Sequence, residues 1–249
     1  MRHTICVALI VTIAASAAAE TVYQQPPKPN GPFYQSARWG ENGSDYDKYV
    51  WDSFQLATTR SITEVHWRGG YNGAVAPIDG FEVNIYKSIP AGSQPDLGGP
   101  PLVHYFFNGN AGETPAGSAG GIAVYDYHVT LPTAFQATGG TKYWVEILAW
   151  QNGFPFWSLQ AGDGGNGSHF EFWEGAAMYF SISGDTSFSL VAAPLPCPAD
   201  LDHNGHVDAA DLSILLGAWG GSGASDLNGD GVVNAADLSV LLGAWGNCA

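Results

Sequence analysis

One segment near the C-terminus is written twice, as DLDHNGHVDAAD at 200–211 and as DLNGDGVVNAAD at 226–237. In both copies, side chains that carry oxygen recur at positions 1, 3, 5, 9 and 12, and glycine stands at position 6. An EF-hand loop supplies calcium ligands from these positions, adds a backbone carbonyl at position 7 and needs glycine at position 6 for its sharp turn. The repeat therefore predicts two calcium loops.

Each loop predicts one Ca²⁺ ion held by six groups. The first site comprises Asp200, Asp202, Asn204, the carbonyl of His206, Asp208 and Asp211, and the second comprises Asp226, Asn228, Asp230, the carbonyl of Val232, Asn234 and Asp237. Position 12 is Asp where an EF-hand has Glu, so the last carboxylate approaches the ion on a shorter arm. A polar turn between two helices is the alternative, and the recurrence of the whole ligand set in register argues against it.

One amphipathic helix is predicted behind each loop, over 212–219 and 238–245. Apolar residues recur there at i, i+3, i+4 and i+7, which is the period of one helical face. No helix is predicted in front of either loop. The C-terminal part of the chain is therefore expected to be a small all-α module built from two loop–helix repeats, over 200–220 and 226–246.

A duplicated loop that ends in Asp and has only its exiting helix resembles the type I dockerin family, over about residues 197–248. The resemblance implies a calcium-binding module that docks to a cohesin domain or similar receptor in an extracellular, polysaccharide-related assembly. It also implies that loop positions 10 and 11 face the partner, and these are Ala209, Ala210, Ala235 and Ala236. Because both copies carry the same pair, two docking orientations are sterically open. A calcium-stiffened anchor or stalk without a cohesin is the alternative.

The N-terminus predicts export. A short basic start precedes an apolar run at 5–15 and small residues before Glu20, which is the pattern of a secretory signal with cleavage after Ala19. The apolar run is too short to span a membrane, and no other segment approaches the required length. We therefore predict a signal peptide over 1–19 and a mature protein that is secreted, in the extracellular space or at the cell surface.

The cysteines favour one disulfide. Removal of the signal removes Cys6 and leaves Cys197 and Cys248, an even pair in a chain bound for an oxidising compartment. The two cysteines bracket the repeat, so a bond between them would close a loop of about 50 residues, worth roughly 4 kcal/mol in the chain-entropy model.

The net charge of −15 excludes nucleic acid as a partner, because phosphate binding needs clustered Lys and Arg and the chain has eight in total. Acidic membrane surfaces are excluded for the same reason. Between 197 and 249 there are seven Asp and neither Lys nor Arg. Part of the negative charge is therefore placed where calcium would neutralise it.

The rest of the mature chain predicts a mainly β domain over 33–192, between a Pro-rich segment at 20–32 and a linker at 193–197 that leads into the dockerin-like domain at 197–249. Apolar and polar residues alternate in short runs, and no segment sustains a helical period. The runs are 49–57, 62–68, 81–87, 102–108, 122–131, 143–150, 169–173, 178–182 and 187–191. This pattern predicts two packed antiparallel sheets, a β-sandwich or jelly roll.

No catalytic residue is predicted in this domain. A glycosidase needs two neighbouring carboxyl groups, and the nearest candidates are Glu171 with Glu174 and Asp79 with Glu82. We interpret these four side chains as solvent-facing. No nucleophile elbow or zinc-binding helix motif occurs. A polysaccharide-active enzyme tethered by the dockerin-like module, of the glycoside hydrolase type, remains the alternative function.

Tryptophans give the hint to function that we favour for this domain. We assign Trp51, Trp67 and Trp144 to the core. Trp150 and Trp157 flank a loop that contains Gly and Pro, where exposed rings would form a platform for sugar rings. The resulting expectation is a non-catalytic sandwich that binds a polysaccharide or cell-surface material.

Overall fold

A computed structural model of the chain describes residues 19–40, 44–194 and 197–248. The chain forms two compact units, one over Glu20–Ala193 and the other over the C-terminal part from Pro194. The predicted signal at 1–19 falls almost entirely outside the described residues, as does part of the predicted linker. Among the helices that the structure describes, none has the length and apolarity needed to cross a membrane.

The larger unit is mainly β, as predicted. Its strands are β1 Glu20–Gln25, β2 Phe33–Gln35, β3 Ala37–Trp39, β4 Lys48–Gln55, β5 Arg60–Tyr71, β6 Ile78–Lys87, β7 Val103–Asn108, β8 Thr114–Ala119, β9 Ile122–Ala137, β10 Lys142–Gln151, β11 Trp157–Gly162, β12 Ser168–Trp173, β13 Met178–Ser183, β14 Asp185–Thr186 and β15 Phe188–Ala192. Each of the nine predicted runs corresponds to one of these strands. A short 3₁₀ helix, Glu174–Ala176, joins β12 to β13.

Within the described residues, the strands form two sheets. The eight-stranded sheet has the order β1-β15-β5-β11-β14, with β2 on β11, β9 on β5 and β8 on β9. The seven-stranded sheet has the order β13-β12-β4-β3-β10-β6-β7, and β4 also pairs with β10. The pairing of β3 with β10 is parallel, and the other described pairings of these strands are antiparallel.

The main core lies between the two sheets. Val83 and Ile85 of β6 are buried in one cluster with Val65 and Trp67 of β5. Because successive strand residues point to opposite faces, each strand gives the core every second side chain, and each buried apolar side chain is worth about 1.5–3 kcal/mol. The seven-stranded sheet is also apolar on its other face, where Trp51, Trp144 and Phe170 form a second cluster. We call this second face the outer face.

The segment that we predicted as a Pro-rich lead-in belongs to the sandwich. Strand β1 pairs with β15 at the edge of the eight-stranded sheet, with Tyr23 opposite Leu190. Tyr23 packs against Phe54 and Phe188, and Gln25 is buried. The predicted domain start at residue 33 is therefore wrong. The prolines that follow β1 predicted a linker, but the six residues before them form a strand that completes the sheet edge.

The C-terminal unit contains two nine-residue helices, α1 Ala209–Gly217 and α2 Ala235–Gly243. A two-residue strand β16, His206–Val207, pairs with β17, Gly246–Asn247, and so joins the first loop to the end of the chain. The core is small and consists of Ala199, Val207, Leu215, Val233 and Leu241. The predicted disulfide between Cys197 and Cys248 is confirmed, with Cα atoms 5.7 Å apart.

Both helices begin and end earlier than their apolar pattern predicts. Asp208 caps α1 by accepting from the backbone N–H of Ala210, while Asp211 accepts from the N–H of Asp208. This reciprocal arrangement is a capping box, which satisfies N–H groups that the first helical turn leaves without partners. Asn234 and Asp237 do the same for α2. The helices therefore start at the alanines, inside the predicted calcium loops.

Candidate functional site

The two repeated loops fold in the same way. Asp200 at position 1 accepts from the backbone N–H groups of Asn204 at 3.0 Å and Gly205 at 2.8 Å. In the second loop Asp226 accepts from the N–H groups of Asp230 at 3.1 Å and Gly231 at 2.8 Å. Each position-1 carboxylate thus draws the loop into a tight turn around itself.

The glycine at position 6 is required by this turn. Gly205 has φ of 90° and Gly231 has φ of 94°. Residues with a Cβ rarely adopt such angles, so glycine is the residue that fits here. The backbone therefore explains why position 6 is the same in both copies.

The position-12 carboxylates close each loop from the other side. Asp211 accepts from Leu201 N–H at 2.6 Å through one oxygen and from Asp208 N–H at 2.8 Å through the other. Asp237 repeats the pattern with Asn228 N–H at 3.0 Å and Asn234 N–H at 2.8 Å. Hydrogen bonds from the backbone, led by that of Asn234, hold the pKa of Asp237 below its usual range. Both carboxyl groups are fully buried.

The donor set of the first loop fits a hard cation. Carboxylate oxygens of Asp200, Asp202 and Asp211 lie within 4.8 Å of one another. Buried carboxylates need a positive partner or a metal, and no Lys or Arg occurs after residue 142. The ligand atoms on offer are all oxygens, which suits Ca²⁺ rather than a softer metal.

The second loop differs in one detail. The side-chain amide of Asn234 donates to the carbonyl oxygen of Val232 at 2.8 Å, and its oxygen accepts from Ala236 N–H at 2.7 Å. The predicted ligand groups at positions 7 and 9 are thus hydrogen-bonded to each other, and the side chain at position 9 is also hydrogen-bonded to the start of α2. An ion in this loop would replace the contact between Asn234 and Val232.

The predicted partner-facing alanines are exposed at the first turn of each helix. The same helices and the residues just after them also expose apolar side chains at equivalent places in the two repeats. These pairs are Ile214 and Val240, Leu216 and Leu242, and Trp219 and Trp245, and each tryptophan is 49% exposed. The apolar period predicted amphipathic helices but did not separate the exposed Leu216 and Leu242 from the buried Leu215 and Leu241.

The predicted aromatic platform of the sandwich is wrong for Trp157. Its ring is fully buried, and its indole N–H donates to the hydroxyl oxygen of Tyr127 at 3.0 Å. Strand β11 begins at Trp157, so this side chain takes the first inward position. The ring that the loop exposes is Phe154, at 59%. Trp150 is half-buried on the outer face, with the Arg38 guanidinium 4.3 Å from its ring centre.

A network of polar side chains, Glu146, Asn84, Glu82 and His104, lies on the outer face. The amide of Asn84 donates to Glu146 Oε2 at 2.7 Å and to Glu82 Oε1 at 2.8 Å, and its oxygen lies 2.8 Å from His104 Nδ1. We call these four residues the Glu82 network. Trp150 Nε1 donates to the remaining oxygen of Glu82 at 3.0 Å.

The solvent-facing interpretation of four carboxylates holds for two of them. Asp79 and Glu174 are exposed. Glu82 belongs to the network, and Glu171 is largely buried with Oε1 3.0 Å from His169 Nε2. The sequence treated Glu82 as one more polar residue of an alternating strand and gave no sign of its cross-strand partners.

Glu146 was missed by sequence reasoning. It is 2% exposed, and its Oε1 has no hydrogen-bond partner among the described residues. Burial raises the pKa of Glu146 to about 8, against the opposing hydrogen bond from Asn84. The group is therefore a neutral carboxylic acid at pH 7. In the sequence it stands inside a long apolar run, where the signal of its site is only that a charged residue interrupts the run.

A family model described as a domain of unknown function, DUF7901, matches residues 21–203. The chain belongs to the DUF7901 family. No curated protein matches it. A solved structure, that of infectious bursal disease virus Gx strain, is similar at 14% identity with a TM-score of 0.27. The match covers 78% of this chain and 39% of the viral chain, so this chain spans about two fifths of the viral one.

The DUF7901 match contains the whole Glu82 network and the outer face of the seven-stranded sheet. It reaches the first residues of the first calcium loop and stops before the second copy begins. The outer face is thus part of the family domain, whereas α1, α2 and the second loop lie beyond the matched residues.

Proposed function

We propose that this DUF7901 protein is exported, binds two Ca²⁺ ions in its C-terminal unit and uses that unit to dock to a cohesin-like domain or other surface receptor. The sandwich is proposed to hold glycan or cell-surface material without catalysis. The observation that carries the proposal is the shared geometry of the two loops, in which the same carboxylates accept from the same backbone positions.

Calcium would contribute directly to the folding of this unit. The core is a handful of side chains, and units of this size need a metal or a disulfide for stability. An ion that binds only the folded loops stabilises them by mass action. Asp200, Asp202 and Asp211 in the first loop, and Asp226, Asp230 and Asp237 in the second, would supply the charge that the ion neutralises.

The docking surface is proposed to comprise the alanine pairs and the apolar side chains that α1 and α2 leave exposed. Isolated apolar residues on a surface are ordinary, but six large ones repeated in register, four on the two short helices and two just after them, exceed that expectation. Small residues at the helix starts allow a partner backbone to approach closely. The resemblance to type I dockerins supports the same surface and both orientations.

Binding of the full chain to a panel of purified cohesin domains, measured in calcium and in chelator, tests docking. We expect binding only in calcium. Because either repeat can face the partner, Ala210→Arg or Ala236→Arg alone should reduce affinity little, and the double variant should lose at least about tenfold. Ser222→Arg, between the repeats, is the matched control.

Equal binding by the double variant would place the partner elsewhere. If no cohesin binds the wild-type chain, the anchor without a cohesin is the better account.

One observation favours an enzyme as second candidate. Glu82 and Glu146 share the amide of Asn84, so their nearest oxygens lie at most about 5.5 Å apart, as in the carboxyl pair of a retaining glycosidase. Glu146 is neutral, as a general acid requires. Its burial leaves it no contact with a leaving group, which is why we propose binding. Release of reducing ends at catalytic rates, abolished by Glu146→Gln, would reverse this choice.

A further inference from the structure

The outer face of the seven-stranded sheet carries a continuous row of side chains that crosses six strands. Cross-strand register places these residues opposite one another in the order Ser181, Phe170, Trp51, Glu146, Asn84 and His104. Phe170 and Trp51 make one side of the row aromatic. Glu146, Asn84 and His104 on the other side belong to the Glu82 network. At about 4.8 Å between strands, six strands span about 24 Å.

A second row lies beside the first, and its two end members, Tyr179 and Phe106, are exposed while the others are partly buried. Its members are Tyr179, Phe172 and Tyr49 on the aromatic side, and Glu82 and Phe106 on the polar side. We call these five residues, with His104, the outer strip. The side chain of His104 is 62% exposed. The strip thus lies beside the first row, in which Phe170, Trp51, Glu146 and Asn84 are buried.

The aromatic side of the outer strip offers ring surface to a ligand. Tyr179 is 53% exposed, and its ring lies 4.5 Å from that of Phe172 and 5.5 Å from that of Phe170. Phe106, at the opposite end, is 41% exposed and contacts Trp150 edge to face. Packed rings of this kind are held in place and keep an outward surface free for stacking.

The polar side holds its hydrogen-bonding groups in fixed positions. Glu82 is bound through Oε1 to Asn84 and through Oε2 to Trp150, and His104 Nδ1 lies 3.3 Å from Glu82 Oε1. In the adjacent row, Glu146 Oε1 is a buried polar atom on this face that has no hydrogen-bond partner among the described residues. Groups that are ordered before a ligand arrives lose little freedom on binding, which favours affinity.

We propose that the outer strip is the binding site for an uncharged polysaccharide chain. The sugar C–H faces would stack on the exposed rings, and the hydroxyl groups would donate to Glu82 or bond to His104. An uncharged ligand is favoured because the net charge of −15 repels uronate or sulfate groups, while on the outer face the Glu82 carboxylate offsets the Arg38 guanidinium that lies over Trp150. This inference rests on the proposed glycan-binding role of the sandwich and gives it a location and a ligand class.

The test measures binding of the full chain, in calcium, to neutral polysaccharides and to uronate-rich and sulfated ones by affinity electrophoresis, with dissociation constants from calorimetry. Tyr179→Ala and Phe106→Ala should each weaken binding to a neutral polysaccharide about tenfold. Glu82→Gln should weaken it several-fold. Met178→Ala and Phe154→Ala are matched controls, because both side chains are exposed and lie off the strip. Unchanged melting temperatures establish that the variants are folded.

Three results would overturn the proposal at different points. If the wild-type chain binds none of the polysaccharides, the glycan-binding role itself fails. If glycan binds but the Tyr179 and Phe106 variants keep full affinity, or Phe154→Ala loses it, the role stands and the outer strip is wrong. Preference for the acidic polysaccharides would overturn the ligand class alone.

Discussion

Glu146 is a buried carboxylic acid on the outer face of a sheet, and its burial makes the stability of the chain depend on pH. Its pKa is about 8 in the folded chain against an ordinary value of 4.5. Between these values the folded state keeps a proton that the unfolded state releases. The stabilising contribution of this group is therefore complete below about pH 4.5 and is lost as pH rises through 8.

Replacing Glu146 with Gln removes this titration and keeps the shape of the side chain. The stability of the variant relative to wild type should rise between pH 5 and 8, by up to about 1.4 kcal/mol per pH unit. Denaturant unfolding at several pH values measures the difference. Burial also raises the pKa of Asp52 to about 7. Asp52 is present in both proteins, so its contribution cancels from the difference in stability.

Glu174→Gln removes the same charge from an exposed position and serves as the control. Parallel pH profiles for wild type and Glu146→Gln would show that Glu146 is ionised in the folded chain.

Single residues in the sandwich were the hardest to predict. Trp157 and Phe154 stand in one short loop segment, and the strand that begins at Trp157 buries the first and leaves the second exposed. The sequence could not tell which ring of this segment is exposed, because the inward position depends on the residue at which β11 starts. Glu146 was invisible for a related reason, since its partner Asn84 comes from a distant strand.

At the scale of elements, prediction succeeded where a segment is long and regular. The nine alternating runs became strands, whereas β1, β2, β3, β8, β11 and β14 are short and contain or lie beside Pro or Gly, so no period marks them. The helices α1 and α2 start three residues before their apolar pattern, because the capping aspartates fix the start. The calcium loops could be proposed from the sequence because every proposed ligand of a site lies within one short segment, and calcium binding stays a prediction.

The disulfide and the two loops hold the same small element together. Replacing both Cys197 and Cys248 with Ser opens a loop whose ends are 51 residues apart. We expect a loss of about 4 kcal/mol in the C-terminal unit by the chain-entropy model, with the sandwich transition unchanged. Calorimetric melting of the full chain separates the two transitions.

Calcium should offset part of that loss, so the double variant should melt higher in calcium than in chelator. A C-terminal transition that is the same in wild type and variant would contradict a structural role for the disulfide.

At the scale of the whole molecule, two units carry two kinds of site. The C-terminal unit combines aspartates without any Lys or Arg, and its sites follow from local spacing. The sandwich, which the DUF7901 match covers, builds the proposed outer strip from strands far apart in sequence, such as β4, β6, β7 and β13. Local spacing is visible in a single sequence, but cross-strand register is not. This difference explains why the calcium sites could be proposed from the sequence, whereas the outer strip could be proposed only from the structure.

The central claim is that the repeated loops bind one Ca²⁺ each, and calorimetric titration of the full chain with calcium tests it most directly. We expect Asp202→Ala and Asp230→Ala each to remove one bound ion and the double variant to remove two, because each change deletes a ligand but keeps the carboxylates at positions 1 and 12. Asp163→Ala, an acidic residue of the sandwich, should change nothing. A stoichiometry that is the same in wild type and the double variant would contradict the account.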